Sequence, residues 1–205
     1  MMTAGRRRAA MMVIAGSFAI LLALVWTGET DSIDTALRNW AISWNSQTTV
    51  AVWQDISLMG SVAVISGLTM LSLGAFLILG DWLAARLIML SMLGAVALDT
   101  SIKWIVQRPR PDEAYLHTMP TTYSFPSGHA LYSFMFYLTI ASIANRHVFG
   151  NWRWGVWCFA IATIALIGAS RIFLGVHYGS DVIGGYLIAA IWMVFLSPDK
   201  APDKS

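Results

Sequence analysis

Long apolar runs recur along this chain, each close to the roughly 20 residues an α-helix needs to cross the hydrocarbon core of a bilayer. They fall at residues 9–27, 61–80, 87–106, 127–144, 154–170 and 180–196. In hydrocarbon every backbone polar group must be satisfied within the protein, so runs of this kind are predicted to be helices. Charge content agrees: 12% of the 205 residues are Asp, Glu, Lys or Arg, against about 25% in soluble domains. The predicted fold class is all-α, a polytopic integral membrane protein with six transmembrane helices forming a single domain over residues 1–205. The net charge is only +2 and the basic residues are scattered, so no nucleic-acid-binding face is expected.

Between the first two runs lies a more polar stretch, 30–58, in which Ile33, Leu37, Trp40, Ala41 and Trp44 recur at spacings of three and four. That is the period of an amphipathic helix. It predicts either a segment lying along the outer membrane surface, with tryptophans among the headgroups, or a helix packed on the bundle. The arginines Arg6–Arg8 precede the first run, as in a signal peptide. The run is long for that role and no small-x-small cleavage site follows it, so it reads as an uncleaved span. The single cysteine, Cys158, lies inside an apolar run, where it is expected to be buried as a small hydrophobe. A cysteine phosphatase needs an arginine six residues after its cysteine, and position 164 is Ile.

Orientation follows from lysine and arginine placement in short loops. With six spans, Arg6–Arg8, Arg86, Arg146, Arg153, Lys200 and Lys204 share one face, read as cytoplasmic together with both termini. Lys103, Arg108, Arg110 and Arg171 fall on the other face, which the rule disfavours for basic residues. The expected location is the cytoplasmic (inner) membrane, with these four cations facing the periplasm or cell exterior.

Those cations fall in two of three clusters at the ends of apolar runs: K-W-I-V-Q-R-P-R-P at Lys103–Pro111, P-S-G-H at Pro126–His129 and S-R-I-F-L-G-V-H-Y-G-S-D at Ser170–Asp181. Alternating spans bring all three to one face. Ionisable groups against a bilayer are costly and mark functional sites. Lys103, Arg110 and Arg171 can surround a phosphoryl group, arginine by its planar fork and lysine as a point charge. Gly128 permits close backbone approach, the following helix start attracts anions, and the Ser127 hydroxyl can donate. His177 and Asp181, four residues apart, face each other on a helical turn. The carboxylate would fix the imidazole tautomer and leave the other nitrogen free as a nucleophile. His129 suits the general acid and base. Asp99, four residues before Lys103, is expected to neutralise it, with a catalytic role as the alternative. His117 could line the entrance, and His147 falls on the cytoplasmic side. Of the acids near these clusters, Asp99, Asp112, Glu113 and Asp181, none has H-x-x-x-H or D-x-D spacing, so neither a two-metal centre nor any cofactor is expected.

These three motifs, K-x(6)-R-P, P-S-G-H and S-R-x(5)-H-x(3)-D, are similar to the tripartite signature of the type-2 phosphatidic acid phosphatase superfamily, which includes lipid phosphate phosphatases and vanadium haloperoxidases. The resemblance runs in order over residues 103–181. It implies a six-helix membrane fold and metal-independent dephosphorylation through a phosphohistidine on His177. It also implies phosphate binding by Lys103, Arg110, Ser127, Gly128 and Arg171, with His129 as acid and Asp181 as orienting group. Arg108 lies outside the pattern, and its role stays open. Small members resemble undecaprenyl pyrophosphate, phosphatidylglycerophosphate and lipid A phosphatases. An outward-facing site makes undecaprenyl pyrophosphate the expected substrate, with phosphatidylglycerophosphate, lipid A or phosphatidic acid as alternatives. A vanadate-dependent haloperoxidase or a non-catalytic lipid-binding or transport protein are the competing classes. Six spans speak against the first, and the intact His129, His177 and Asp181 against the second. The expected partners are thus a phosphorylated lipid and the bilayer.

Overall fold

The apolar runs become helices whose ends are set by local capping chemistry. The structure, a computed structural model, describes residues 3–112 and 121–197, and eight helices lie among them: α1 (Ala4–Trp26), α2 (Asp31–Ser43), α3 (Gln47–Leu58), α4 (Val62–Ile78), α5 (Trp82–Val106), α6 (Gly128–Ala144), α7 (Trp152–Phe173) and α8 (Gly179–Leu196). Ser46 and Thr49 form a reciprocal capping box at the start of α3, satisfying amides that have no partner within the helix. Asp81 accepts the Ala84 amide at 2.9 Å to begin α5. Gln107, at φ 51°, ends that helix in the left-handed region, turning the chain sharply towards Arg108 and Arg110.

Five helical segments are long and apolar enough to cross a membrane: α1, the joined α3–α4 segment Gln47–Ile78, α5, α7 and α8. The sixth apolar helix, α6, has only 17 residues, about 25 Å at the α-helical rise. The protein is therefore a multi-pass membrane protein, with five helical segments of spanning length and one shorter apolar helix among the described residues. The stretch read as one amphipathic segment is two helices, and the second runs into α4 through the short turn Met59–Ser61.

Packing explains which faces are buried. The apolar core joins Ile65 of α4, Ile88 and Ala95 of α5, Leu131, Tyr132, Met135 and Phe136 of α6, and Ile188 and Ala189 of α8. Helix α6 is central, touching α5, α7 and α8, while α1 seats on α8. On α5 the buried residues Ala84, Ile88, Ser91, Ala95, Asp99 and Lys103 follow one another at three- and four-residue steps. The small residues Ala84, Ser91 and Ala95 in this stripe admit close neighbours, and the stripe carries Lys103 into the interior. By contrast α1 buries only Val25 and α4 only Ile65, as expected for helices whose solvent is lipid.

The side of α2 that packs on the bundle carries Asp34 together with Ala41 of the apolar pattern. Ile33, Trp40 and Trp44 are exposed, whereas Asp34 and Ala41, two turns apart, are buried where α2 packs on α7 and α8. The exposed aromatics suit a membrane interface, so hydropathy marks the side that meets lipid. Cys158 is likewise exposed on the outside of α7, not buried as expected. The outside of a membrane bundle is as apolar as its core, so an apolar run does not distinguish the two.

Candidate active site

The C-terminal ends of α5 and α7 and the N-terminal ends of α6 and α8 meet at one end of the bundle, with α2 and α3 beside them. Backbone hydrogen bonds stitch the three motifs together. Ser124 N donates to Arg108 O at 2.8 Å and Ser127 N donates to Asp181 O at 2.9 Å. A side chain on Gly185 would collide with Ser127 O, its Cβ falling only 2.8 Å away, so this glycine lets α8 approach the start of α6. Gly128 is similarly confined, with a Cβ there 3.2 Å from both Asp99 and Tyr132.

His177 is buried between α7 and α8. Its Nε2 lies 3.1 Å from Arg110 Nη1, and its Nδ1 lies 3.3 Å from Asp181 Oδ2. A guanidinium can only donate, so Nε2 is an acceptor and the imidazole proton sits on Nδ1, facing the carboxylate. This tautomer is inferred from the network. Burial outweighs the attraction of Asp181 and holds His177 down at about 4, from an ordinary 6.5, so the ring is neutral at pH 7. Asp181 also takes the Tyr178 amide at 2.9 Å and the Ser124 hydroxyl on Oδ2, while Arg108 Nη1 approaches Oδ1 at 2.8 Å.

The cations predicted from the motifs gather around this pair. Arg110 is braced by Thr122 O at 2.7 Å, Val176 O at 2.9 Å and Tyr123 O at 3.3 Å. Burial lowers its pKa, opposed by Asp181 and Asp99. Lys103 donates to Asp99 and to Pro126 O at 2.9 Å, so the expected neutralising pair is present. Arg171 Nη1 donates to Ser57 of α3, leaving its Nε buried with no protein partner. The Ser127 hydroxyl is also buried and unpartnered. Unsatisfied buried donors are costly, and two of them beside three cations suit an oxyanion. His129, on the first turn of α6, is within electrostatic reach of Arg171, His177, Arg110 and Lys103. A Cβ on Gly60 would lie 3.4 Å from its ring.

All eight motif residues thus converge. His147 lies in the exposed loop after α6 at the opposite end, and His117 and Glu113 lie outside the described residues. Sequence reasoning missed Asp34, Ser57, Gly60 and Ser124, and left Arg108 without a role. Only Asp34 carried a signal, being an acid two turns from Ala41 on one face of α2. Among the described residues no three His, Cys, Asp or Glu side chains converge as a metal site requires.

Comparison with known proteins adds the family. Residues 84–201 match the PAP2 superfamily model. Phosphatidylglycerophosphatase B of Bacillus subtilis (strain 168) is 30% identical over 85% of this chain and 86% of its own. An undecaprenyl-diphosphatase of Sulfolobus acidocaldarius is 32% identical over 54% of this chain and 52% of its own. The crystal structure of a transmembrane PAP2-type phosphatidylglycerolphosphate phosphatase from Bacillus subtilis superposes with a TM-score of 0.82 and 26% identity, covering 90% of this chain and 94% of that one. Aquifex aeolicus LpxE shares the fold, with a TM-score of 0.62 and 23% identity over 80% of this chain and 93% of that one. With its motifs gathered at one end of a membrane bundle and the family model spanning them, this chain belongs to the PAP2 superfamily and is a membrane-embedded lipid phosphatase or pyrophosphatase.

Proposed function

We propose that the chain hydrolyses a lipid phosphate or pyrophosphate without a metal, through a phosphohistidine on His177. The observation that carries this is the oriented imidazole: Nδ1 faces Asp181 and Nε2 faces Arg110 among the phosphate-binding groups. Lys103, Arg110, Arg171, Ser127 and the first-turn amides of α6 at Gly128 hold the phosphoryl oxygens and stabilise the charge of transfer. Nε2 attacks phosphorus as the bond to the leaving oxygen breaks, and His129 protonates that oxygen. Water then attacks phosphorus, giving a proton to His129, and the phosphorus–nitrogen bond breaks with its electron pair returning to Nε2. Inorganic phosphate leaves and His177 returns neutral.

Phosphatidylglycerophosphate is the leading substrate, because the relatives acting on it match nearly the full chain in sequence and fold. Undecaprenyl pyrophosphate is the second, favoured by the relative of that name and by a site on the face with the unfavoured cations. The membrane is the cytoplasmic one, with the site facing outwards. Supporting this, Arg7 reaches Ser197 O at 2.7 Å, so the two ends of the described chain meet at the face bearing Arg146, opposite the site.

The test is phosphate release by the detergent-purified protein and by His177→Ala, with EDTA present, across phosphatidylglycerophosphate, undecaprenyl pyrophosphate, lipid A and phosphatidic acid. Release by the parent alone is expected. Equal release by the variant, or loss of parent activity to EDTA, would overturn the mechanism. For orientation, Ala114→Cys should react with an impermeant thiol reagent in intact cells; reaction only after lysis reverses the assignment.

A further inference from the structure

Arg108 is outside the matched motif and Asp34 lies outside residues 84–201, yet both are buried beside Asp181. Arg108 is 7% exposed, Asp34 3% and Asp181 0%. One guanidinium joins groups from two distant places in the chain, the starts of α2 and α8. Its Nη1 donates to Asp181 Oδ1 at 2.8 Å and to Ser180 Oγ at 2.7 Å. Its Nη2 donates to Asp34 Oδ2 at 2.8 Å and to the more exposed Asp31 Oδ1 at 3.1 Å. The guanidinium lies 4.3 Å from the centroid of the Tyr178 ring. Asp34 in turn accepts the Ser180 amide at 2.9 Å and the Ser180 hydroxyl, and so grips the first turn of α8, the turn that carries Asp181.

We infer that Arg108 and Asp34 are positioning residues for Asp181, fixing the carboxylate so that Oδ2 remains aimed at His177. The inference rests on the proposed roles of His177 and Asp181. A carboxylate held only through Oδ2 can pivot about its side-chain bonds; the bond from Arg108 to Oδ1 removes that freedom. Arg108 alone would be a long side chain seeking partners, and a lone buried guanidinium is costly. Asp34 anchors its other nitrogen and simultaneously holds the helix start, so the side chain and its target move as one body. Groups that orient a reacting residue through hydrogen bonds repay this rigidity in rate, since displacement by about 1 Å costs about 100-fold.

The alternative is that the pair merely fastens α2 to α8, and kinetics separate the two. The charged groups facing His177 are Asp181 from α8, Arg110 from the loop after α5, Arg171 from α7 and His129 from α6. Removing the Arg108 charge leaves Asp181 less compensated, which favours the protonated imidazole. The acid limb of the rate profile then moves to higher pH.

The experiment uses the full chain in detergent, with phosphatidylglycerophosphate and undecaprenyl pyrophosphate as probes, and compares Arg108→Gln, Arg108→Lys, Asp34→Asn and His177→Ala with the parent. Arg108→Gln is expected to lower kcat about 100-fold with KM changed less than about threefold, and to shift the acid limb upward. Arg108→Lys should restore the position of that limb but only part of the rate, because a point charge lacks the fork. Asp34→Asn should lower kcat about 10-fold. Should Arg108→Gln fail to fold, the lysine and Asp34 variants carry the test. Parental kcat and pH profile in the Arg108 and Asp34 variants, with His177→Ala inactive, would overturn the inference and keep the nucleophile. Lower kcat with an unmoved acid limb would assign the pair a structural role and also overturn it. An active His177→Ala would remove both readings.

Discussion

Two carboxylate–cation assemblies are buried at the same end of the bundle, and they are built in opposite ways. Asp99 and Lys103 stand four residues apart on α5, so one helical turn creates the pair before any other helix is present. Arg108 meets Asp34 and Asp181 across 74 and 73 residues of sequence, and the cluster exists only when α2, α8 and the loop after α5 are assembled. The local pair brings a lysine into the membrane with its counter-charge already attached. The long-range cluster reports that the tertiary structure is complete, and it lies against the histidine proposed to react.

The largest loss is expected at the carboxylate that Arg108 and His177 share. Asp181→Asn should lower kcat roughly 10³- to 10⁴-fold with KM little changed, because the amide no longer selects the Nδ1–H tautomer; steady-state phosphate release checks this. Asp99→Asn tests the local pair. Leaving Lys103 buried beside Pro126 O should cost about 3–5 kcal/mol of stability, read from unfolding in detergent, with a smaller loss of rate than at Asp181. The double change Asp99→Asn with Lys103→Gln should regain stability and not activity.

Since burial lowers His177 to about 4, the parent should keep the ring neutral well below pH 6.5. The acid limb of kcat/KM should therefore lie nearer 4 than 6.5 wherever this group sets it. The same shift acts on folding: the unfolded chain binds the proton more readily, so stability falls as pH drops from 6.5 towards 4. A pH series of rate and of unfolding midpoint reads both. The smallest effect is expected at Ser57→Ala, which removes the α3 acceptor from Arg171. A single hydrogen bond is worth about 1 kcal/mol, so kcat/KM should fall about fivefold.

What was legible in the chain was local. Apolar runs of spanning length announced the helices, and spacings of four announced Asp99 with Lys103 and His177 with Asp181, although His177 precedes α8 and only the first pair shares a helix. The topology of alternating spans was enough to bring the three motifs to one face. The failures share one cause. On α2 the lipid-facing aromatics made a stronger periodic signal than the buried Asp34, because in a bilayer the exposed side is the hydrophobic one. Cys158 was misplaced for the same reason. Ser57, Gly60 and Ser124 are ordinary residues in sequence and acquire meaning only from what lies across from them.

Hydropathy, helical period and motif spacing alone give the membrane helices, the family and the residues proposed to hold phosphate. Assembly of the helices sets what Arg108 and Asp34 touch, how Arg171 is held by Ser57, and which imidazole nitrogen faces the cations. Those depend on side-chain contacts between segments far apart in the chain, and periodicity along one segment carries no information about the surface of another.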